Sequence, residues 1–210
     1  MRINPVKAVA APAFLSPNFF PCKSITLPTT ILLNFAGLNI KFLRLPDRST
    51  MDIKALKGMA KTAEPATKKL FDRLRRTKPK NLDDVVHALH EETFEQVDCL
   101  KCANCCKTTS PIFYQNDIER LAKHLKMKPS RFIEQYLHID EDKDYVLNVA
   151  PCPFLDADNY CMVYDHRPTA CREYPHTDRK RFHQILDLTL KNTAICPAAY
   201  RIVEEMKKKL

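Results

Sequence analysis

Apolar residues recur every three or four positions in several segments after residue 80, which is the spacing of one buried helix face. The first segment predicts a helix from Asn81, as its N-cap, to about Val97. The second predicts a helix capped by Asn116, with Glu119 in the position of a capping-box acid. We therefore expect helices to form the scaffold of this part of the chain.

A third short helix is predicted from Pro129. The last helix begins at Cys196-Pro197, because proline suits the first helical position. Two short apolar runs, Ile112–Tyr114 and Tyr145–Val149, are candidate strands. The pattern as a whole predicts an α+β fold, in the form of a mainly helical small domain. The buried stripe of the last helix is predicted to be Ala199, Ile202, Val203, Met206 and Leu210.

Residues 51–80 form a distinct basic segment, with ten Lys or Arg and three acids. Their composition favours a helix from Met51 to Arg76, although Pro65 should break or kink it. Thr77–Lys80 is predicted to be a linker. We interpret the stretch as a basic helical segment that precedes a domain of residues 81–210.

Residues 1–50 differ in composition from the rest, with six prolines and a single acid, Asp47. We interpret them as a non-domain N-terminal extension, and we expect translation to begin at Met51, so that Cys22 has no role. An organelle transit peptide is the alternative, because acids are scarce there. The longest apolar run, Ile31–Leu43, is interrupted by polar residues and is too short to cross a bilayer. We therefore expect a cytoplasmic protein without a membrane partner.

The net charge of +9 divides into +5 for residues 1–50, +7 for residues 51–80 and −3 for residues 81–210. The basic residues of the middle segment lack interleaved aromatics beyond Phe71 and any nucleic-acid motif, so nucleic acid is not expected as a partner. Both glycines, Gly37 and Gly58, precede residue 59. Their scarcity excludes Gly-rich phosphate-binding loops and is consistent with the lack of a serine nucleophile elbow.

Eight of the nine cysteines lie in residues 81–210, and four of them occur in the run Cys-Leu-Lys-Cys-Ala-Asn-Cys-Cys. Two-residue gaps let successive thiolates turn toward one centre, as in many metal sites. A disulfide framework would need an oxidising compartment, and adjacent cysteines are poorly suited to separate, unstrained disulfides. The predicted metal ligands are Cys99, Cys102, Cys105, Cys106, Cys152, Cys161, Cys171 and Cys196.

The spacings favour an iron–sulfur cluster as the cofactor. Cys99, Cys102 and Cys105 match the triplet of bacterial ferredoxins, and Cys152 and Cys196 each precede a proline. Zn²⁺ is the alternative, because eight thiolates also satisfy two tetrahedral zinc sites. We therefore expect the domain to be organised around a cysteine-ligated metal centre that contributes to its stability.

Further motif blocks follow the first four cysteines in a definite order: Pro151–Leu155, Cys161–Tyr164, Arg167–Pro175 and Cys196. Over about residues 95–200 the chain thereby resembles the YkgJ-type cysteine-cluster family, which is described as a zinc- or iron-chelating domain. Flagellin lysine methylases resemble this family through the same blocks. The resemblance implies a metal site, and it allows a methyl-transfer role without requiring one.

Arginines and histidines surround Cys171 in the sequence. Arg167 and Arg172 either stabilise a negatively charged thiolate centre or form salt bridges with neighbouring acids. His166 and His176 are alternatives to a cysteine ligand, but eight cysteines already satisfy two sites, so we expect these histidines at the surface or behind the ligands. No residue outside the cysteine set can be assigned a catalytic role from the sequence.

Two functions remain open at this point. The first is a metal-binding cysteine-cluster protein with a redox or protein-modifying, methyl-transfer-like role. The second is a non-enzymatic, zinc-stabilised interaction module. Either would act on an unidentified protein partner or substrate, and the sequence does not decide whether the protein is an enzyme.

Overall fold

The computed structural model describes residues 52–210, so the interpretations of residues 1–50, Met51 and Cys22 lie outside the described residues. The described part is mainly helical, with one two-stranded sheet. Among these residues no helix has both the length and the apolar character needed to cross a membrane.

Nine α-helices and two strands make up the regular structure of residues 52–210. Single turns of 3-10 helix lie at Tyr164–His166 and Phe182–Gln184. In chain order the elements are α1 (Ile53–Thr77), α2 (Leu82–Phe94), α3 (Cys99–Cys102), α4 (Asn104–Thr108), α5 (Gln115–His124), α6 (Pro129–Tyr136), β1 (Leu137–Ile139), β2 (Tyr145–Leu147), α7 (Thr169–Glu173), α8 (Leu186–Thr193) and α9 (Pro197–Lys209).

Four helices, α1, α2, α8 and α9, enclose the first hydrophobic core. Each helix contributes residues spaced by three or four positions, which places them on one face. Phe182 enters this core from the loop before α8, where the Asp83 carboxylate accepts hydrogen bonds from the backbone N–H groups of Arg181 and Phe182. Its buried members are Leu70, Phe71, Leu74, Leu82, Val86, Leu89, Phe182, Leu186, Ile202, Val203 and Met206.

The second core lies between α5, α6 and the β1–β2 hairpin. The strands are antiparallel, and Leu137 stands opposite Leu147. Phe113 joins the hairpin through a single bridge to Tyr145, with an N–O distance of 2.8 Å. The buried members are Phe113, Ile118, Leu121, Ala122, Phe132, Leu137, Leu147, Phe154 and Val163.

Several helices predicted from apolar spacing are confirmed. The helix predicted from Asn81 is α2, although the Asn81 side chain makes no capping hydrogen bond. The helix predicted from Pro129 is α6. The helix predicted from Cys196-Pro197 is α9, and its stripe is buried except for the half-buried Leu210.

Other local predictions need correction. The cap of α5 lies at Tyr114 rather than Asn116, because Asp117 rather than Glu119 accepts a hydrogen bond from the backbone at the start of the helix. Helix α1 is not broken at Pro65, since apolar residues on both sides of the proline are buried along one face. Ile112–Tyr114 forms only the bridge at Phe113, because its neighbours pair with no further strand residues in the described part.

A buried carboxylate fastens α5 to the segment that carries Cys171. Asp117 is 1% exposed and accepts hydrogen bonds from the backbone N–H of Thr169 at 3.1 Å and from its hydroxyl at 3.0 Å. Arg120 pairs with Asp117 and also donates to the carbonyls of His166 and Arg167. Burial alone would raise the pKa of Asp117, but these hydrogen bonds outweigh it and hold that pKa below its usual value.

We expect Asp117→Ala to destabilise the protein by about 2 to 3 kcal/mol, because the half-buried Thr169 on α7 and Arg120 lose their acceptor. Urea unfolding followed by circular dichroism measures this change. Asp142→Ala is the control, since Asp142 is exposed in the hairpin loop and should change stability by less than about 0.5 kcal/mol. Equal effects of the two variants would contradict a structural role for the Asp117 network.

Candidate metal centre

The first four cysteines lie on two very short helices rather than in an open loop. Cys99 and Cys102 belong to α3, while Cys105 and Cys106 belong to α4. Between the helices Ala103 adopts the left-handed conformation, with φ of 46°, which reverses the chain within one residue. The Asp98 side chain caps α3 by accepting from the backbone N–H of Leu100 at 2.9 Å.

Backbone hydrogen bonds bring Cys152 and Cys161 to the end of this block. The N–H of Cys152 donates to the carbonyl of Cys106 at 2.8 Å. Cys161 lies across an isolated bridge from Leu155, and the adjacent Met162 N–H donates to the carbonyl of Phe154 at 2.9 Å. Both cysteines are half-buried and pack against the second hydrophobic core.

Cys171 reaches the same place from α7, which the Asp117 network holds. Burial, and then the charges of Cys106, Cys152 and Cys161, raise the pKa of Cys171 to about 12. Burial likewise raises the pKa of Cys152 to about 11, with smaller contributions from Cys106 and Cys161. These thiols are therefore close enough to repel one another once they lose their protons.

Cys196 is the N-cap residue of α9 and lies next to the first cysteine block. The Asn104 amide donates to the carbonyl of Ile195 at 2.6 Å and thereby links α4 to this helix start. The Ala199 N–H donates to the Cys196 sulfur at 3.5 Å. Burial, with smaller contributions from Cys99 and Cys102, raises the pKa of Cys196 to about 12 against the opposing effect of backbone donors.

Cys105 and Cys106 are adjacent in the chain, and their thiols interact. This interaction lowers the pKa of Cys106 to about 7 and raises the pKa of Cys105. All eight described cysteines are free thiols.

No three sulfur atoms of the described cysteines lie within 4.8 Å of one another. A tetrahedral zinc ion, with Zn–S bonds of about 2.3 Å, would hold its four sulfur atoms about 3.8 Å apart. The sulfur atoms would have to move closer to one another to hold a single zinc ion. A centre with several metal atoms needs a wider arrangement of sulfur atoms.

Arg167 lies near the thiols, and its positive charge lowers the pKa of Cys161 and Cys171. Burial raises the pKa of both thiols by more, so the net shift is upward. Its guanidinium lies 3.7 Å from the centre of the Tyr164 ring and donates to the Tyr164 carbonyl at 2.9 Å. Arg172 instead donates to the Thr169 hydroxyl at 3.3 Å. Within residues 52–210 neither arginine forms the predicted ion pair with Asp165 or Glu173.

The Tyr174 hydroxyl is a feature that the sequence analysis did not single out. It is buried and has no hydrogen-bond partner among the described residues. Burial, together with the nearby Cys196, Cys105 and Cys102, raises the pKa of Tyr174, so the hydroxyl keeps its proton. A tyrosine in a sequence motif does not reveal whether its hydroxyl has a hydrogen-bond partner, so the sequence gives no signal of this feature.

The two histidines that flank Cys171 in the sequence contact other side chains of the described residues. The His166 ring packs on the His124 ring with centroids 4.1 Å apart. His176 lies 3.8 Å from the Glu173 carboxylate and is half-buried. Neither histidine belongs to a three-residue ligand group with cysteines among the described residues.

A different set of potential ligands lies outside the cysteine region. His87, Glu91 and Asp178 place one ligand atom each within 4.8 Å of the others, and all three residues are exposed. His87 and Glu91 are four residues apart on α2. A hydrogen bond of 2.7 Å joins the His87 ring to the Asp178 carboxylate. Two of the three potential ligands are therefore already paired with each other.

Residues 98–196 match the family model CxxCxxCC, described as "Putative zinc- or iron-chelating domain". The matched range contains all eight described cysteines and confirms the resemblance to a cysteine-cluster family. No curated protein and no solved structure matches the chain. The comparison supports metal chelation and leaves zinc and iron as alternatives.

Metal uptake should strengthen as pH rises, because thiols must lose protons to become ligands. The raised pKa values of Cys152, Cys171 and Cys196 imply that this effect continues above pH 8.5, with about a tenfold gain in affinity per pH unit for each proton released. Competition titrations of the metal-free protein with Zn²⁺ at pH 8.5 and 9.5 measure the gain. Ordinary thiols would approach a plateau in this range, and a plateau would contradict the effect of burial.

Proposed function

We propose that this protein chelates zinc or iron through its cysteines, on the premise that residues 98–196 are a domain of the CxxCxxCC family. The observation that carries the proposal is the convergence of eight free thiols from four separate stretches of chain. Hydrogen bonds such as Cys152 N–H to the Cys106 carbonyl support this convergence.

The surroundings of the thiols suit a bound cation. Thiolates are soft ligands for zinc and for iron in clusters. Backbone N–H groups point at the sulfur atoms of Cys152, Cys161 and Cys196, which stabilises negative charge on them. Without a metal, burial keeps most of these thiols protonated, so the metal would supply the charge that offsets their repulsion.

For the metal itself we propose an iron–sulfur centre. No three sulfur atoms of the described cysteines lie within 4.8 Å of one another, which supports this choice because a cluster of several metal atoms spans more space than one zinc ion. The ferredoxin-like spacing of Cys99, Cys102 and Cys105 supports it as well. When bound, such a centre supplies one-electron chemistry, and this chain's thiols and N–H donors would hold it and adjust its potential.

A redox or protein-modifying role follows from that choice. Cys99 is exposed while the other seven described cysteines are half-buried, so one edge of the site faces solvent. A partner or protein substrate could approach this edge without entering a deep pocket. The second candidate is a zinc-stabilised interaction module, in which the same thiols would hold zinc. Because zinc has no redox chemistry, such a module would transfer no electrons.

The test is to purify the protein without oxygen and to measure its metal content, acid-labile sulfide and absorption spectrum. We expect iron, sulfide and a broad absorption band near about 400 nm from thiolate-ligated clusters. Colourless protein that contains zinc would instead support the interaction module. Protein without either metal at stoichiometric level would contradict the proposed function.

Cys102→Ser should lower the bound metal by about half or more, because it removes a ligand from the centre of the motif. Cys22→Ser is the matched control, since Cys22 lies outside the matched residues 98–196 and should leave the metal content unchanged. Metal analysis of both variants measures the difference. Full metal retention in Cys102→Ser would show that this cysteine is not a ligand.

A further inference from the structure

We propose that the Tyr174 hydroxyl donates a hydrogen bond to a ligand thiolate, at Cys105 or Cys196, when the site holds a metal, an assignment that rests on the proposed metal binding. Tyr174 is a positioning residue here and not a ligand. Its hydroxyl stabilises negative charge on a ligand sulfur and thereby favours the metal-bound state over the metal-free state.

The Tyr174 hydroxyl is buried and has no hydrogen-bond partner among the described residues. No other buried side-chain nitrogen or oxygen of residues 52–210, outside the exposed residues, is left in this condition. A buried hydroxyl without a partner destabilises a fold, because it has given up its hydrogen bonds to water. A charged acceptor that forms when the site is loaded would explain why the hydroxyl is kept there.

A buried asparagine fastens the segment of Tyr174 beside the start of α9. The Asn192 side-chain amide donates to the carbonyl of Pro175, the residue after Tyr174, at 3.1 Å. The backbone carbonyl of the same asparagine accepts from the Cys196 N–H at 2.8 Å. Asn192 is 4% exposed, so water does not compete with these bonds. One residue therefore holds the Tyr174–Pro175 segment and Cys196 together.

A second asparagine brings Cys105 to the same place. The Asn104 side-chain amide donates to the carbonyl of Ile195 at 2.6 Å, and Cys105 follows Asn104 in α4. Ile195 directly precedes Cys196 in the sequence. The two asparagines therefore gather Tyr174, Cys105 and Cys196 around the short connection between α8 and α9.

The Tyr174 ring is also supported, and its hydroxyl remains a donor. Tyr174 is the C-cap residue of α7, and its ring meets the His176 ring edge-on with centroids 6.1 Å apart. Burial first, and then the charges of Cys196, Cys105 and Cys102, raise the pKa of Tyr174. The hydroxyl therefore keeps the proton that it would donate.

The state of the sulfur atom decides how well it accepts this proton. A neutral thiol is a weak acceptor, whereas hydrogen bonds to a charged acceptor are about twice as strong as those between neutral groups. Cysteine must lose its proton to become a metal ligand. The hydroxyl thus gains a strong acceptor only in the loaded site, and groups that support ligands in this way typically change metal affinity by about 10- to 100-fold.

The test is Tyr174→Phe in the full chain, which removes the hydroxyl and keeps the ring. Competition titrations of the metal-free protein with Zn²⁺ should give an affinity at least about tenfold lower than that of wild type. Urea unfolding should find the metal-free variant no less stable than wild type, because the hydroxyl has no partner in that state. A tyrosine that only braces the fold would instead change both measurements in the same direction.

Tyr160→Phe is the matched control for the loss of a hydroxyl. Tyr160 lies next to Cys161 in the motif, but it is 45% exposed. Its substitution should change the Zn²⁺ affinity by no more than the roughly twofold effect of an ordinary surface substitution. The stability of the metal-free control should also match that of wild type.

A second measurement follows the hydrogen bond itself and needs no substitution. The chain contains no tryptophan, so tyrosine dominates its near-ultraviolet absorption. Addition of Zn²⁺, a d¹⁰ ion, to metal-free wild-type protein should shift tyrosine absorption to longer wavelength, because the phenol then donates to a charged acceptor. The shift should persist in Tyr160→Phe and be missing from Tyr174→Phe.

The outcomes distinguish this inference from the proposed function. Wild-type protein that binds no metal would overturn both. Three results would overturn the role of Tyr174 while metal chelation stands: wild-type Zn²⁺ affinity in Tyr174→Phe, a loss of stability in the metal-free variant that matches its fall in affinity, or a wild-type tyrosine spectrum that Zn²⁺ leaves unshifted.

Discussion

The structure depends on one electrostatic constraint, which is that eight thiols are crowded into a region where most of them cannot ionise alone. Burial raises the pKa of Cys152, Cys171 and Cys196 well above that of a thiol in water. Their mutual repulsion as thiolates adds to that cost. A bound cation reverses both effects, so metal binding and the folding of residues 98–196 are coupled in our interpretation.

The hydrophobic cores and the cysteine-bearing segments are held in place by different interactions. The helices pack through residues at helical spacing, while the cysteines lie on short turns that bury little apolar surface of their own. Those turns are fastened at a few polar points, among them Asp117 to Thr169, Asn104 to Ile195 and Cys106 to Cys152. The cores thus determine the approximate positions of the cysteine-bearing turns, and these hydrogen bonds determine which segments lie next to each turn.

This division explains how much the sequence could predict. Helices α2, α6 and α9 follow from apolar periodicity, and the set of eight cysteines follows from their spacing and motif order. Helix α5 begins after Tyr114 rather than Asn116 because Asp117 accepts a hydrogen bond from the Tyr114 N–H and is held by Thr169, a partner 52 residues away that local capping preferences do not reveal. Which segments meet around the cysteines likewise depends on long-range hydrogen bonds, such as that of Asn104 to the Ile195 carbonyl, so spacing alone could not predict it.

Thiolates gathered at one site would repel one another, and Arg167 supplies a positive charge near them. Arg167 lowers the pKa of Cys99, Cys161 and Cys171 against the larger effect of burial, so one guanidinium lies near thiols from three segments of the chain. The Tyr164 ring and carbonyl hold it there, and the Asp117–Arg120 network fixes its backbone. Because a guanidinium stays charged at any physiological pH, it lowers the cost of gathering several thiolates without itself being a ligand. Arg167 forms no ion pair with Asp165 or Glu173 among the described residues and packs on Tyr164 instead, so its surroundings favour the sequence interpretation that it stabilises a thiolate centre.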